Sequence, residues 1–384
     1  MMRGPRKMMA IALTFLLPLS WSWLWAGEPQ VVKVGVQLPL TGERAQVGKA
    51  MQNGVRMALD ALNSQGPRKG TRNGTKMEVV FEDDQGTKEG ALSALSNLIH
   101  EHHVMAIIGE IFSPFVLASK PIVEQEGVPF LTGGTHPKTT ENSRWVFRAG
   151  ASDTLLTSLM AQYAAERLNV KKIAVIHDRT GIHAARAGLV IKALQDKYGI
   201  IPTVTAQWSP GDKEFTEALS QVKASGAEAL VALGETSEAG PLLQQVRAGG
   251  LKLKLIAQRD FGAPPVLELA KEAADGIYIL TEYLPGISGP NWQAWATGYR
   301  ERYHTEPNNI AAAYYDAVFL LAEAMRQGGP GREGIRVALE QIRAFPGVLG
   351  EYTFDQSHDG IRRLYVVQIR AGRPVLMETL EATP

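Results

Sequence analysis

The amino-acid sequence predicts an α/β protein with two similar lobes, each built on a mainly parallel β-sheet covered by helices. Three observations lead to this prediction. Strand-like and helix-like segments alternate along most of the 384 residues, which is typical of a parallel sheet covered on both faces. A strand–turn–helix pattern begins near Val31 and starts again near Lys171. The chain is also long enough for two domains of ~150 residues each.

The first lobe opens with a run of β-branched and apolar residues, 31–38, which ends in a turn. Apolar residues at helical spacing then predict a helix over residues 46–63. The same two periodicities continue along the chain. They predict strands over 76–82, 104–108 and 128–131, and helices over 88–103 and 114–125.

The second lobe repeats this order from residue 171 onwards. Its first unit is a strand over 171–176, a turn, and a helix over 183–198. Apolar runs bounded by polar or glycine-containing turns predict the remaining elements. These are strands over 203–208, 229–233, 254–257 and 276–280, and helices over 214–225, 239–248 and 266–273.

The last third of the chain is mostly helical and then ends in strands. Amphipathic patterns predict helices over 292–303, 309–327 and 334–343, followed by two strands over 350–355 and 363–370. Such a tail suits a chain that returns to complete both lobes. We therefore expect a hinge of three chain crossings, near residues 148–150, 281–285 and 348–353.

The predicted domains follow from these crossings. Lobe 1 comprises residues 31–148 and 284–349, and lobe 2 comprises residues 151–281 and 352–384. A ligand crevice is expected at the carboxyl ends of the strands, where open α/β sheets bind their ligands.

Residues 1–26 have the order of a secretory signal peptide. A basic start is followed by an apolar core over 8–19, and Ala26 supplies a small residue at the expected cleavage site. The apolar core is shorter than the ~20 residues that a membrane-spanning helix needs. We therefore expect export, cleavage after Ala26 and no stable membrane insertion of the remaining chain.

Charge and cysteine content exclude several classes of function. Lys and Arg total 40 and Asp and Glu total 39, so the formal net charge is +1. This balance gives no electrostatic reason to expect nucleic-acid binding. The sequence contains no cysteine, which excludes disulfides, thiolate zinc sites, iron–sulfur clusters, a cysteine nucleophile and a lipid-anchored cysteine.

None of the candidate enzymatic motifs in the sequence is complete. Five residues separate Gly42 from Gly48, where a phosphate-binding P-loop has four. No G-x-G-x-x-G motif opens either lobe, and the sequence has no G-x-S-x-G motif. The histidines in 100–103 indicate a solvated helix end. Asp83-Asp84 could do acid–base work, but a surface turn after a strand explains the pair as well. We therefore expect a protein that is not an enzyme and that has no metal or cofactor.

Two neighbouring strand-end loops could bind a small anion. Ser113 precedes Pro114 at the start of a predicted helix, where it could cap the helix or bind a carboxylate. In 132–135, the two glycines permit close backbone approach, and Thr135 could cap a helix or contact a ligand. From these residues alone, a capping role and a ligand-binding role both remain open.

From Val32 to its end, the sequence resembles the periplasmic substrate-binding proteins of ABC importers that are of the branched-chain amino-acid (Leu/Ile/Val-binding) type. The resemblance implies the type I periplasmic binding protein fold, with two Rossmann-like lobes. The matching segments occur in family order: 34–42 with Gly48, 82–84, 107–109, 127–130, 147–148, 176–178, 315–318 and 352–355.

The resemblance also implies a ligand site. Ser113, Gly134 and Thr135 match positions that bind the α-carboxylate and α-amino groups of the ligand, with Gly134 where alanine is frequent. Val47 and Ile182 stand where the family has an aromatic residue and a tyrosine. The acidic partner of the ligand's ammonium group would be Asp260, one position displaced, or Glu235. Arg259, if it points inward, would instead favour a second carboxylate.

The expected function is that of an exported, monomeric solute-binding protein. It would capture an amino acid or a related carboxylate between its lobes and deliver it to an ABC transporter permease. The alternative is a ligand sensor that presents its closed form to a receptor or regulator.

Overall fold

The computed structural model describes residues 1, 31–64, 76–284 and 291–382. The predicted signal peptide, apart from Met1, lies outside the described residues. In the described part of the chain, no helix is both long and apolar enough for a membrane span.

The order of elements confirms the predicted alternation of strands and helices. The strands are β1 (Val31–Leu38), β2 (Lys76–Asp83), β3 (Ala106–Gly109), β4 (Phe130–Thr132), β5 (Val146–Arg148), β6 (Ile173–Asp178), β7 (Val204–Trp208), β8 (Ala229–Leu233), β9 (Lys254–Gln258), β10 (Tyr278–Thr281), β11 (Phe345–Pro346), β12 (Glu351–Tyr352), β13 (Arg363–Arg370) and β14 (Arg373–Glu381). The helices are α1 (Ala45–Ser64), α2 (Lys88–Ser96), α3 (Ser113–Glu126), α4 (Asp153–Gln162), α5 (Gly181–Tyr198), α6 (Thr216–Ala224), α7 (Thr236–Ala248), α8 (Pro264–Ala270), α9 (Trp292–Tyr303), α10 (Asn309–Gly328) and α11 (Arg332–Gln341).

Two large sheets carry the fold. The first has the order β2-β1-β3-β4-β5 and is parallel throughout. The second has the order β14-β13-β10-β9-β8-β6-β7. Its strands from β10 to β7 are parallel, and β13 and β14 add to β10 in antiparallel orientation. This is the mainly parallel α/β architecture that the sequence predicts.

Apolar faces place the helices on these sheets. Val34, Val36 and Leu38 of β1 are fully buried in a core that also contains apolar residues of α1 and α10. Gly35 faces the opposite side, where Leu98 would lie 2.9 Å from any added Cβ. The alternation along β1 therefore buries both faces of the first sheet.

Local capping signals set the helix ends. Thr180 precedes α5, and its hydroxyl accepts a hydrogen bond from the His183 N–H. Gly199 ends the helix with a φ of 64°, a left-handed conformation that glycine adopts without steric cost. The structure begins α5 at Gly181, two residues before the predicted start.

The sequence pattern misses four of these elements, namely β5, α4, the two-residue strand β11 and β14, and one predicted strand is shorter than expected. β5 has only three residues, α4 is buried on most sides, and β14 is an edge strand with a largely exposed, charged pattern. In none of these elements do apolar residues recur regularly every 2.0 residues, as in a half-buried strand, or every 3.6 residues, as in an amphipathic helix. The predicted strand over 350–355 is reduced to Glu351–Tyr352, which pairs with β11. The chain therefore ends in more strands than the two predicted.

The predicted surface turn at Asp83-Asp84 is wrong for Asp84, which is fully buried. Asp83 is partly exposed and accepts hydrogen bonds from Leu40 N, Thr41 N and Gln85 N. The sequence pattern did not show the burial because it depends on Glu110, a residue of another strand end.

Candidate functional site

The carboxyl ends of the strands bring polar side chains of both sheets together around Arg186. This arginine lies on α5 and is 5% exposed. It donates to Asp153 Oδ1 at 2.7 Å and to Gln258 Oε1 at 2.9 Å. Its Nη2 lies 3.5 Å from Thr135 Oγ1, in the loop after β4. Arg186 therefore connects the second sheet to a strand-end loop of the first.

Arg148, the last residue of β5, fixes the loop around Gly134 through hydrogen bonds. Arg148 is fully buried and donates to the carbonyl oxygens of Gly134 at 2.7 Å and His136 at 3.1 Å. It also pairs at 2.7 Å with Asp359, which follows the third chain crossing. The ligand-binding loop predicted from the sequence is thus anchored to the hinge.

The backbone N–H and carbonyl groups of Gly134 are already hydrogen-bonded within the protein. Its N–H donates to Thr132 Oγ1 at 2.9 Å, and its carbonyl accepts from Arg148. An added Cβ would lie 2.9 Å from Val116 Cγ2. The structure thus gives Gly134 a packing role, because a side chain there would press on α3.

The two predicted hydroxyl ligands remain partly exposed. Ser113 begins α3, and its Oγ accepts a hydrogen bond from the His136 N–H at 3.1 Å. Thr135 accepts the Asp153 N–H on its carbonyl oxygen at 2.9 Å. Each hydroxyl is fixed by neighbouring groups but keeps capacity for a further hydrogen bond.

A histidine in α5 has a defined tautomer. Gln258 Nε2 donates to the Gly234 carbonyl at 3.0 Å, while its Oε1 accepts from Arg186. Gln258 therefore presents an N–H to His183 Nε2, at 3.1 Å. His183 must then carry its proton on Nδ1 and donate it to Asp178 Oδ2 at 2.7 Å.

Asp178, His183 and Glu235 form a cluster whose potential ligand atoms lie within 4.8 Å of one another. Both ring nitrogens of His183 are occupied by partners of the correct hydrogen-bonding sense. A metal ion on Nδ1 would need a proton on Nε2, opposite an N–H of Gln258. The geometry is therefore better suited to an organic cation beside Glu235 than to a metal.

Glu235 and Asp260 belong to one acidic region. Glu235 is exposed and precedes α7, and its N–H donates to Glu238 Oε2 at 3.2 Å. Partial desolvation of its carboxyl group raises the pKa of Glu235, and the nearby carboxylates of Asp260 and Asp178 raise it further, whereas His183 would lower it when protonated. The region thus holds negative charges that repel one another and would be relieved by a cation.

Arg259 is already paired. Its Nη1 donates to Glu282 Oε1 at 2.6 Å, and Asn309 Nδ2 donates to the same oxygen at 3.1 Å. The charge of Glu282 raises the pKa of Arg259. Arg259 and Asp260 both line a mostly apolar cavity of about 670 Å³. Among the described residues that line it, none comes from the Ser113 or Thr135 loops.

The two predicted apolar contacts lie in the first turns of two helices. Ile182 is in the first turn of α5 and is 42% exposed. Val47 is in the first turn of α1 and is half-buried against the core of the first lobe.

The profile of the family described as periplasmic binding protein matches residues 31–374. The chain belongs to this family. Its members are binding proteins, and at this level the predicted solute-binding function and the type I periplasmic binding protein fold are confirmed.

Relatives and solved structures of this periplasmic binding protein match it over most of its length. A leucine-, isoleucine-, valine-, threonine- and alanine-binding protein of Pseudomonas aeruginosa is 27% identical, over 85% of this chain and 87% of the relative. The substrate-binding protein LivJ of Streptococcus pneumoniae, solved with isoleucine, is 26% identical with a TM-score of 0.76. That likeness covers 92% of this chain and all of LivJ. A substrate-binding protein from Sphaerobacter thermophilus is 20% identical, with a TM-score of 0.81, and supports the fold alone. The two structures match over 92% of this chain and 98% of the Sphaerobacter chain.

Sequence reasoning missed the buried network of this periplasmic binding protein. Asp178 and Gln258 end β6 and β9, and His183 and Arg186 lie three residues apart on α5. A search for polar residues at strand ends and in the first two turns after them would have found all four. Asp153 shows no such signal, because it follows a chain crossing and not a strand of its own sheet.

Proposed function

We propose that the protein captures a small organic ligand between its two lobes and delivers it to an ABC transporter permease. The observation that carries the proposal is the contact between Thr135 and Arg186. It joins the strand-end loops of one sheet to the strand-end network of the other. A ligand held by groups from both sides would favour lobe closure in proportion to its added contacts.

The proposed ligand is an amino acid or a related carboxylate. Ser113 and Thr135 would donate to its carboxylate, with Gly134 shaping the loop between them. Glu235 or Asp260 would accept from an ammonium group, and Ile182 and Val47 would contact the side chain. The acidic surroundings of Glu235 support the ammonium assignment. The existing pair with Glu282 weighs against the second-carboxylate role of Arg259.

The names of the relatives support this ligand class. The P. aeruginosa relative is described as binding aliphatic amino acids and threonine, and LivJ was solved with isoleucine. We infer that this chain is exported to the periplasm, that residues 1–26 are removed, and that it acts as a monomer. The lobes would be residues 31–148 with 284–349, and 151–281 with 352–384.

A thermal-shift screen of the protein beginning at Gly27 tests the proposal. The panel would contain branched-chain, aromatic, acidic and basic amino acids, short amides, and aromatic and dicarboxylic acids. A ligand at 100 times its Kd should stabilise the native state by ~2.7 kcal/mol. Stabilisation by α-amino acids supports the ammonium site, whereas stabilisation only by acids that lack an amine assigns Arg259 the specificity. No stabilisation of ligand-free, folded protein by any compound would contradict the proposed function.

Two controls sharpen the screen. A stabilising compound should be recovered unchanged after prolonged incubation, because we propose binding without catalysis; turnover would assign the site to an enzyme. Binding should also survive Glu217→Gln, which changes an exposed glutamate of α6 that does not line the cavity of Arg259 and Asp260.

A further inference from the structure

Asp84 and Glu110 form a buried carboxyl pair beneath the strand-end loops of the first lobe. Asp84 follows β2, and Glu110 follows β3. Both residues are fully buried. The two carboxyl groups lie close enough to interact directly, and each has one buried oxygen without a hydrogen-bond donor.

The hydrogen bonds of each carboxyl group leave one oxygen for the other. Asp84 Oδ1 accepts from the Gly86 N–H at 2.8 Å, and Glu110 Oε1 accepts from the Phe112 N–H at 2.8 Å. Asp84 Oδ2 and Glu110 Oε2 are buried and receive no other donor from any group in the described chain. Two carboxylate oxygens repel each other, so a hydrogen bond between them requires a proton on one.

The charges around the pair do not remove this requirement. Asp83 lies beside Asp84 and adds negative charge, whereas Arg44 partly offsets it. On the other side, burial and the charge of Glu110 raise the pKa of Tyr314 of α10 well above its ordinary value, so its phenol is neutral. Burial, followed by the charge of Asp84, raises the pKa of Glu110 to about 8.

Glu110 also connects the two loops that are proposed to hold the ligand. Its side chain accepts the Phe112 N–H, directly before Ser113. Its carbonyl oxygen accepts from Thr132 Oγ1 and, at 3.3 Å, from the Gly133 N–H. Any displacement of Glu110 would therefore move both loops together.

We propose that Asp84 and Glu110 share one proton at neutral pH, and that this pair positions the loops that carry Ser113 and Thr135. Loss of the proton leaves two adjacent buried carboxylates, which repel each other and displace Glu110 from both loops. The positioning role rests on the proposed function, but the shared proton does not. The pair acts on ligand affinity through the loops, so its residues are positioning residues.

The first test compares thermal midpoints of the ligand-free protein and Glu110→Gln across pH. A raised pKa in the folded state means that the native protein holds a proton that the unfolded chain loses. Wild-type stability should then fall as the pH rises from about 4.5 to about 8 and level off above it. We expect the wild-type midpoint, relative to Glu110→Gln, to drop by about 5 °C between about pH 5 and pH 8. Glu89→Gln, at an exposed glutamate of α2, should show no such difference.

Two spectroscopic readouts separate proton sharing from a purely structural effect. The infrared difference spectrum of wild type minus Glu110→Gln at pH 7 should contain a protonated-carboxyl band, and this difference band should be lost above pH 8. The subtraction removes the contribution of Asp316, whose pKa is also raised by burial. Exchange of the Phe112 and Gly133 amides, corrected for intrinsic rates, should accelerate at least ~10-fold between pH 7 and pH 9 in wild type only. Asp84→Asn provides a second variant if Glu110→Gln fails to fold, since its amide would replace the shared proton.

A flat midpoint difference or a missing infrared band would overturn the shared proton. If the infrared band is present but the amide exchange rates of Phe112 and Gly133 do not change with pH, the positioning role would be overturned. None of these measurements requires a ligand, so a failed ligand screen leaves them interpretable.

Discussion

Tyr352 and Asp316 are hydrogen-bonded at 3.1 Å, and together they join two of the three chain crossings. The Tyr352 hydroxyl also lies 2.9 Å from the carbonyl oxygen of Ala149, in the first crossing. Asp316 accepts the N–H groups of Val348 and Leu349, in the third. A hydroxyl has one proton to donate, so the protonation of Asp316 decides which acceptor receives it.

Tyr352→Phe should destabilise the protein by about 1–3 kcal/mol, because it removes a buried hydroxyl and leaves one of its two acceptors, the Ala149 carbonyl or the Asp316 carboxyl, without that donor. Chemical denaturation measures the change. Tyr365→Phe is the matched control, since the hydroxyl of Tyr365 makes no hydrogen bond within the described part of the chain. Equal effects of the two substitutions would contradict a hydrogen-bonded role for Tyr352 at the hinge.

Asp316→Asn should change the pH dependence of stability. Burial raises the pKa of Asp316 from 3.8 to about 7, against the lowering effect of its three donors. The native state therefore retains a proton that the unfolded chain loses, and wild-type stability falls as the pH rises between these values. Relative to Asp316→Asn, wild type should lose about 2–4 kcal/mol across this window. Asp196→Asn, at an exposed position of α5, should give a pH-independent difference.

Arg186→Met should destabilise the protein by about 3–5 kcal/mol, because it leaves the Asp153 carboxylate buried without its cation. Asp153→Asn in the same chain should restore part of the loss, and a double-mutant cycle measures the coupling. Additive effects would mean that the ion pair does not operate in solution. Lys192→Met is the control for the loss of a positive charge from α5, because it breaks an exposed ion pair on the same helix.

Glu235→Gln should weaken binding of an α-amino acid by about 10- to 100-fold, the loss expected when a charged acceptor for an ammonium group becomes neutral. Titration calorimetry with the amino acid that stabilises wild type most would measure it. Asp260→Asn, tested in parallel, shows which of the two carboxylates meets the ligand. Unchanged affinity in both variants would remove the ammonium assignment. Glu217→Gln, at an exposed position of α6 outside the cavity of Asp260, controls for the loss of one negative charge.

Much of the fold could be predicted because apolar residues recur at regular strand or helix spacing in most of its elements. The bounds of β13 and α9 match the prediction, while α1 differs from it by one residue at both ends and α10 by one residue at its end. The buried polar network could not be predicted in the same way. Arg186 and Asp84 are charged residues that sequence patterns place at the surface, and only partners from distant segments explain their burial. The strand-end loops of Ser113 and Thr135 could be found because parallel strands end at one edge of a sheet.

Gly134→Ala tests whether the packing around Gly134 leaves room for a side chain. The added Cβ would lie 2.9 Å from Val116 Cγ2, and valine has few rotamers with which to move away. We expect a loss of about 1–3 kcal/mol from overpacking, measured by chemical denaturation, together with weaker ligand binding because the loop before Thr135 shifts. Gly188→Ala is the matched control: it lies in α5 with open space around its Cβ and should stabilise by about 0.5–1 kcal/mol. If Val116 causes the clash, Val116→Ala combined with Gly134→Ala should cost less than the sum of the two single substitutions, whereas strict additivity would place the strain elsewhere in the loop.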